Sequence, residues 1–276
     1  FRAFRDAGVT RLSIGVQSFN DTHLQALGRV HDRAQALAAC EEAATAFDTF
    51  NLDLMYALPG QTMAQLEADA RQALAMGPPH LSIYHLTLEP NTYFAKFPPV
   101  LPPDDTAYAM LDRITELTQT AGLQRYEVSA YARQGHRCWH NLNYWQFGDY
   151  LGIGAGAHSK LSFAHRVVRQ VRHRDPRLFM DHALDASRTE RAVSQSEEVT
   201  RADLPFEFML NALRLRHGFS LADFTDRTGL PVTAIQSALA EAEAKGFITR
   251  DFQRVVPTER GFDFLSDLQS LFLSEA

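Results

Sequence analysis

The sequence predicts an α/β protein built on a parallel sheet and followed by a small helical domain of winged-helix type. Two patterns predict it. Up to Leu88, apolar β-favouring stretches alternate three times with capped helical stretches, as parallel strands joined by crossover helices require. From about Leu204 the pattern changes to three short helices and a final strand pair, a winged-helix order.

The elements follow in order. Phe1 to Ala7 reads as the end of a helix capped by Gly8, so the chain is expected to start in mid-fold. Arg11 to Ser18 (RLSIGVQS) is a buried strand. Thr22 to Gln25 reads as a capping box opening a first helix. A second helix runs from Arg33 to Phe47, with Leu37, Cys40 and Ala44 on its apolar stripe. Asn51 to Ala57 is the next strand, and Thr62 with Gln65 caps the helix after it. His80 to Leu88 is a third strand. After a proline-rich loop, Asp104 or Asp105 caps a long helix with Leu111, Ile114 and Leu117 in register. Gln124 to Tyr131 is a fourth strand. Cys138 to Trp145 (CWHNLNYW) holds both tryptophans, and such aromatic density makes a platform for a flat ligand or a wedge between layers. A basic segment from Arg166 to Arg177 is expected to be an exposed strand pair. In the last part, Phe206 to His217 is a helix, Ser220 with Asp223 caps the next, and Val232 to Lys245 is the third. Phe247 to Arg250 pairs with Arg254 to Pro257 as a wing, with a helix from Thr258.

Composition excludes several classes. Hydrophobic residues are 45% and charged residues 22% of 276, the balance of a soluble globular protein. A net charge of −6 gives no bulk attraction to nucleic acid or anionic lipid. Cys40 and Cys138 make no disulfide framework and fit a reducing cytoplasm, the expected location. No apolar run approaches the roughly 18 residues of a membrane span, and no signal peptide is visible.

Chemistry concentrates at a few positions. Gln17 and Asp53 lie in strands that otherwise read as buried, where a polar group must be hydrogen-bonded or serve a ligand. Gly152, Gly154 and Gly156 do not match the dinucleotide fingerprint and read as a tight turn where backbone approaches a ligand or another strand, with phosphate cradling a weak alternative. His136, Cys138 and His140 alternate and on a strand would share one face, but the spacing lies outside the usual zinc patterns. Arg166, Arg169, Arg172 and Arg174 form a basic strip, either a solvated face or a partner for ligand carboxylates. The winged-helix part, residues 201–276, holds 8 Arg and Lys against 11 Asp and Glu, which lacks the basic footprint of a DNA reader.

Four stretches together carry a family resemblance: Arg11 to Phe19 (RLSIGVQSF), Gly28 to His31 (GRVH), Asn51 to Thr62 (NLDLMYALPGQT) and Gly152 to Ser159 (GIGAGAHS). In this order and spacing the chain resembles the radical S-adenosylmethionine (SAM) enzymes related to oxygen-independent coproporphyrinogen III oxidase. His140 to Trp145 (HNLNYW) is similar to the H-N-x-x-Y-W element of the HemW subgroup, which is regarded as haem chaperones. The resemblance implies a partial (β/α)6 TIM-like barrel lacking its first strands, covered by the winged-helix-like domain. It implies SAM contacts from Gln17, Arg29 and Asp53, and haem binding at His140 shaped by Tyr144 and Trp145. Arg29 rests on the motif alone. The implied cofactors are SAM, a [4Fe–4S] cluster and haem. The implied partners are haem or porphyrin as ligand and haem-requiring acceptor proteins, with no nucleic acid and with peripheral membrane association through those acceptors left open. The family holds its cluster in a C-x-x-x-C-x-x-C loop that this chain does not contain. Two cysteines cannot supply three thiolates, so no metal ligand for the cluster, and no catalytic residue, is expected here.

The expected division is a barrel part over 1–160, a basic connector over 161–203 and the winged-helix-like domain over 204–276. The expected function is haem delivery. Anaerobic coproporphyrinogen oxidation is the enzyme alternative, and a nucleic-acid-binding regulator the third.

Overall fold

The computed structural model describes residues 1–185, 187 and 192–274. Residues 186 and 188–191 of the expected connector, and 275 and 276 of the expected last domain, lie outside the described residues. The chain divides into two units, Phe1–Arg137 and Cys138–Ala276.

The first unit is strand–helix alternation made physical. Helix α1 (Arg2–Asp6) leads into β1 (Leu12–Gln17), α2 (Asp21–Ala26), α3 (Arg33–Ala46), β2 (Phe50–Tyr56), α4 (Met63–Ala75) and β3 (His80–His85). Then come α5 (Tyr93–Lys96), α6 (Asp104–Thr120), β4 (Gln124–Arg125) and β5 (Ala130–Ala132). The sheet order is β1-β2-β3-β5-β4. β1, β2 and β3 are parallel. The expected fourth strand is instead two short pieces, β4 and β5, that pair antiparallel with each other and add antiparallel to β3. Residues 126–129 between them form a tight reversal, so one β-rich run of sequence folds as a hairpin. The third strand stops at His85, three residues short of the expected Leu88.

The apolar face of this sheet packs under the helices. Leu52, Leu54, Leu81 and Ile83 join Ala36, Cys40 and Ala43 of α3 and Ala107, Met110 and Ile114 of α6 in one buried cluster. On α3 the buried stripe is Ala36, Cys40, Ala43 and Ala46, so Ala44 faces solvent and Leu37 is only half-buried. Cys40 is buried as the stripe requires and Leu37 packs against the edge of the cluster, while Ala43 rather than Ala44 completes the buried line. Leu111 of α6 is likewise half-buried, beside the buried Met110 and Ile114.

Two helix starts differ from expectation. Asn20, not Thr22, caps α2, accepting from the Thr22 and His23 N–H groups. Pro103 precedes α6, and Asp104 and Asp105 sit in its first turn, where they favour the helix dipole without capping. The expected box at Thr62 and Gln65 is present, and Asp32 with Gln35 forms another on α3.

The second unit begins with α7 (Trp139–Trp145) and continues through β6 (His158–Phe163), β7 (Arg166–Arg172), α8 (Pro176–Leu184) and β8 (Val193–Val199). The three strands form an antiparallel sheet in order β6-β7-β8. The expected boundary at residue 160 therefore falls inside β6, a strand whose partner is β7. The basic segment does form a strand, but its pairing partners are its neighbours on both sides rather than itself.

The rest of the unit follows the winged-helix order: α9 (Leu204–Ala212), β9 (Phe219–Ser220), α10 (Leu221–Thr228), a 3₁₀ turn at Val232–Ile235, α11 (Gln236–Ala244), β10 (Ile248–Arg250), β11 (Arg254–Pro257), α12 (Glu259–Asp263) and α13 (Leu265–Ser270). The wing gains a third strand, in order β10-β11-β9. Phe208 anchors the core, with Phe147, Phe219 and Phe224 set edge-to-face around it. Ser220 and Asp223 form the expected capping box. Gly218 brings the chain against the wing: its φ is +62°, and an added Cβ would lie 1.8 Å from the Val255 carbonyl oxygen.

Gly218→Ala combines a disfavoured backbone conformation with a backbone overlap and should cost about 3 kcal/mol or more. The expected outcome is a lower melting temperature for the variant, read by circular dichroism.

Candidate functional site

The inner face of the parallel sheet carries polar residues in rows. Ser13, Asn51 and His80 lie side by side across β1, β2 and β3, and Gly15, Asp53 and Ser82 form the next row. Alternation sends Leu52 and Leu81 to the helix-covered face and these residues to the other.

Asp53 is half-buried there. Its Oδ1 accepts from Asn51 Nδ2 at 2.7 Å and its Oδ2 from Ser13 Oγ at 3.2 Å. Asn51 Nδ2 also donates to Ser13 Oγ at 2.7 Å. An ionised carboxylate only accepts, so the amide must turn its NH2 toward Asp53 and its oxygen away. That oxygen receives Ser82 Oγ at 3.1 Å and His80 Nδ1 at 2.6 Å. The His80 Nδ1 is therefore the protonated nitrogen, and its Nε2 accepts from the Tyr126 hydroxyl at 2.9 Å. Burial, reinforced by the charges of Arg11 and His136, lowers the His80 pKa to about 3 and keeps the ring neutral.

Gln17 closes β1 at a φ of 68°, where β1 and β2 slip register. A left-handed glutamine is strained, and it turns the side chain back over Gly15, where an added Cβ would sit 2.8 Å from Gln17 Nε2. Gly15 is the partner of Asp53 in the sheet, so the bend brings the Gln17 amide to the row that holds Asp53. Two contacts hold this end of β1. Asp69 of α4, buried and raised in pKa by that burial, accepts from Ser18 Oγ at 2.6 Å and from the Phe19 N–H at 2.8 Å. His31 Nε2 donates to the Val16 carbonyl at 3.1 Å. The His31 bond draws the Gly28–His31 loop to the C-terminal end of β1. Arg29 is exposed on that loop, next to an open cleft lined by Gln25 to Gly28 and Thr92 to Phe94.

In the second unit, the helix predicted to matter is α7. His136, Cys138 and His140 do not share a strand: Cys138 stands at the N-cap position of a helix that starts at Trp139. The alternating-face argument for three metal ligands loses its premise with it. Among the described residues no group of three His, Cys, Asp or Glu is placed to hold a metal ion. His140 is exposed on α7. Its ring meets Tyr144 edge-on at 4.7 Å, and Tyr144 meets Tyr150 edge-on at 4.6 Å. Trp145 lies under the Arg214 guanidinium, 4.2 Å from its ring centre.

The segment behind α7 is tightly fastened. Phe147 adopts a φ of 56°. Asn143 donates to the Asp149 carbonyl at 2.9 Å, and its side chain fills the space a Cβ on Gly148 would need. Lys160, 2% exposed, donates to the Phe147 carbonyl at 2.9 Å, Ser162 Oγ at 3.0 Å and Asp149 Oδ1 at 3.1 Å. Its ammonium also sits 3.9 Å from the Phe147 ring centre. Burial pulls the lysine below its usual range; burial raises Asp149, but bonds from Ser162 and Lys160 outweigh this and leave it lowered. Gly152 belongs to the same fastening, since a Cβ there would lie 2.4 Å from the His158 carbonyl. This is the close backbone approach expected of the glycine run.

The basic strip is not one surface. Arg166 and Arg169 fall on opposite faces of β7. Arg169 pairs with Glu207, Arg166 lies over the Phe163 ring, and Arg172 donates to the Gly152 carbonyl. Structural partners occupy these side chains in place of ligand carboxylates.

Comparison with known proteins matches this layout. A family model described as the radical SAM superfamily matches residues 1–73, and one described as the HemN C-terminal domain matches residues 199–264. The heme chaperone HemW of Escherichia coli is 44% identical over all of this chain and 71% of its own length. The chain belongs to the HemW family. A HemW of Bacillus subtilis is 32% identical over 99% of the chain and 72% of its own length. The solved coproporphyrinogen III oxidase (HemN) of Escherichia coli superposes with a TM-score of 0.77 at 18% identity, over 98% of this chain and 65% of that one, which shows the shared fold. The resemblance read from the motifs is thus borne out. The family implies SAM and an iron–sulfur cluster. The cysteines here do not fit the cluster: two thiols cannot supply three thiolates, and Cys40 is fully buried in α3 with its thiol pushed up to about 11 by burial. No helix among the described residues is long and apolar enough to cross a membrane.

Sequence reading missed Asn51, His80, Tyr126 and Lys160. The signal was present: Asn51 stands two residues before Asp53 and His80 two before Ser82, the spacing of one strand face.

Acid should expose the cost of the buried histidine. Unfolded, His80 takes a proton near 6.5; folded, only near 3. Its contribution to stability is complete above 6.5 and falls as pH drops toward 3. At pH 5 the loss is about 2 kcal/mol. Urea unfolding at pH 7.5 and 5 should show that loss in the natural chain and a smaller one in His80→Asn.

Proposed function

We propose that this chain forms the haem-facing part, and much of the SAM-facing part, of a haem chaperone. The observation that carries the haem assignment is His140: an exposed imidazole on a seven-residue helix whose far end is pinned by Asn143 and Lys160. A neutral imidazole with a free ring nitrogen can ligate haem iron. Tyr144 and Tyr150 stand beside it with their rings turned edge to face, and they shape the ground on which a flat macrocycle would rest. The curated relatives named as heme chaperones support the reading. They do not favour coproporphyrinogen oxidation or a nucleic-acid-binding regulator.

The SAM assignment concerns Gln17, Arg29 and Asp53. SAM is the cofactor from which the superfamily takes its name. Asp53 offers acceptor capacity that Asn51 and Ser13 leave unused, suited to a donor on the ligand. Gln17 adds an amide in the same row, and Arg29 a cation on the loop that His31 ties to β1. The acceptors of haem are proteins that require it; they, and any association with membranes through them, belong to this proposal.

His140→Ala should weaken haem binding about tenfold and alter the Soret band in an absorbance titration. An unchanged titration removes His140 from the site. Asp53→Asn in the full-length protein should weaken SAM binding about fivefold by calorimetry. Equal affinity would make Asp53 a structural residue of the sheet.

A further inference from the structure

Asp53 does not stand alone on the sheet face. Behind it runs a single file of side chains, Asn51, His80 and Tyr126, drawn from β2, β3 and the β4–β5 turn. His80 is 0% and Tyr126 2% exposed, so neither can touch a ligand on the open face. Burying an imidazole and a phenol costs free energy that apolar residues of similar size avoid. Something other than packing must be gained.

The file has a direction. The Tyr126 O–H donates to His80 Nε2, the His80 Nδ1–H to Asn51 Oδ1, and the Asn51 NH2 to Asp53 Oδ1. Every donor points toward the carboxylate. None of these bonds can reverse unless Asp53 takes up a proton, because an ionised carboxylate has no donor to return. The amide of Asn51 is the weak link. Rotated by half a turn, it would place its oxygen at the carboxylate, 2.7 Å away, and repel it. Ser82 Oγ, at 3.1 Å, and His80, at 2.6 Å, both hold the Asn51 oxygen in place. The histidine bond is the shorter of the two, and the Tyr126 hydroxyl satisfies Nε2 of the tautomer that donates to Asn51.

We propose that His80 and Tyr126 are positioning residues for the SAM-facing carboxylate of Asp53, acting through the side-chain amide of Asn51. This rests on the SAM assignment of Asp53. They leave the chemistry untouched and hold one carboxylate in one orientation, already half-satisfied, before the ligand arrives.

In the full-length protein, His80→Phe should weaken SAM binding about fivefold by calorimetry. His80→Asn, whose amide nitrogen takes the place of Nδ1, should restore most of the affinity, and Tyr126→Phe should fall between. A residue that served packing alone would show the reverse order, with Phe the better replacement. Nitrogen-15 NMR of the natural protein gives a second readout independent of any variant's folding: the His80 ring should be the Nδ1–H tautomer and stay neutral from pH 8 to 5. An Nε2–H tautomer overturns the proposal. So does wild-type SAM affinity in His80→Phe while Asp53→Asn binds weakly. If Asp53→Asn also binds normally, the SAM assignment of Asp53 is what has failed, and the proposal falls with it.

Discussion

A carboxylate in the middle of a parallel sheet can only accept hydrogen bonds, and much of the first unit is arranged around that constraint. Asp53 obliges Asn51 to present its amide NH2, Asn51 obliges His80 to carry its proton on Nδ1, and His80 obliges Tyr126 to donate. The β4–β5 hairpin brings Tyr126 to the end of this file, so an edge that interrupts the parallel sheet also completes its polar row. The opposite face of the same strands presents Leu52, Leu54, Leu81 and Ile83 to α3 and α6. Two-residue alternation is what allows one strand to serve both purposes.

The second unit solves a different problem, how to hold an exposed helix of seven residues still. So short a helix is not stable by itself. Here it is anchored through a left-handed Phe147, an asparagine that occupies the room beside Gly148, and the ammonium of Lys160 shared among three oxygens. A buried lysine is costly unless paired and hydrogen-bonded, and Lys160 is both. The glycine run between α7 and Lys160 is explained by the same closeness, since Gly152 lies against the His158 backbone. The motif residues of this region thus divide between those that face outward, His140 and Tyr144, and those that keep them there.

Much of this could be read without coordinates. Strand–helix alternation, the boxes at Thr62 and Ser220 and the wing at the C-terminal end are local, and local chemistry survives folding. Gln17 and Asp53 stood out because charge and amide are costly in an apolar strand. What differed had local as well as tertiary causes. The cap at Thr22 lost to Asn20, whose side chain reaches two N–H groups. The Gln124–Tyr131 run became a hairpin because the antiparallel edge of β3 was the available partner. The His136–Cys138–His140 alternation dissolved when Trp139 began a helix, and the arginine strip split once β7 gave its residues two faces.

The sequence by itself determined the alternation of elements, the families of residues in each motif and the identity of the polar groups that had to be satisfied. Only the tertiary structure decided which groups satisfy which. Asn51, His80 and Tyr126 are far apart in sequence, and Lys160 lies well beyond the helix it steadies. Hydrogen bonds of this kind depend on register between strands and on the direction of a turn, and neither is written in the composition or periodicity of any one segment.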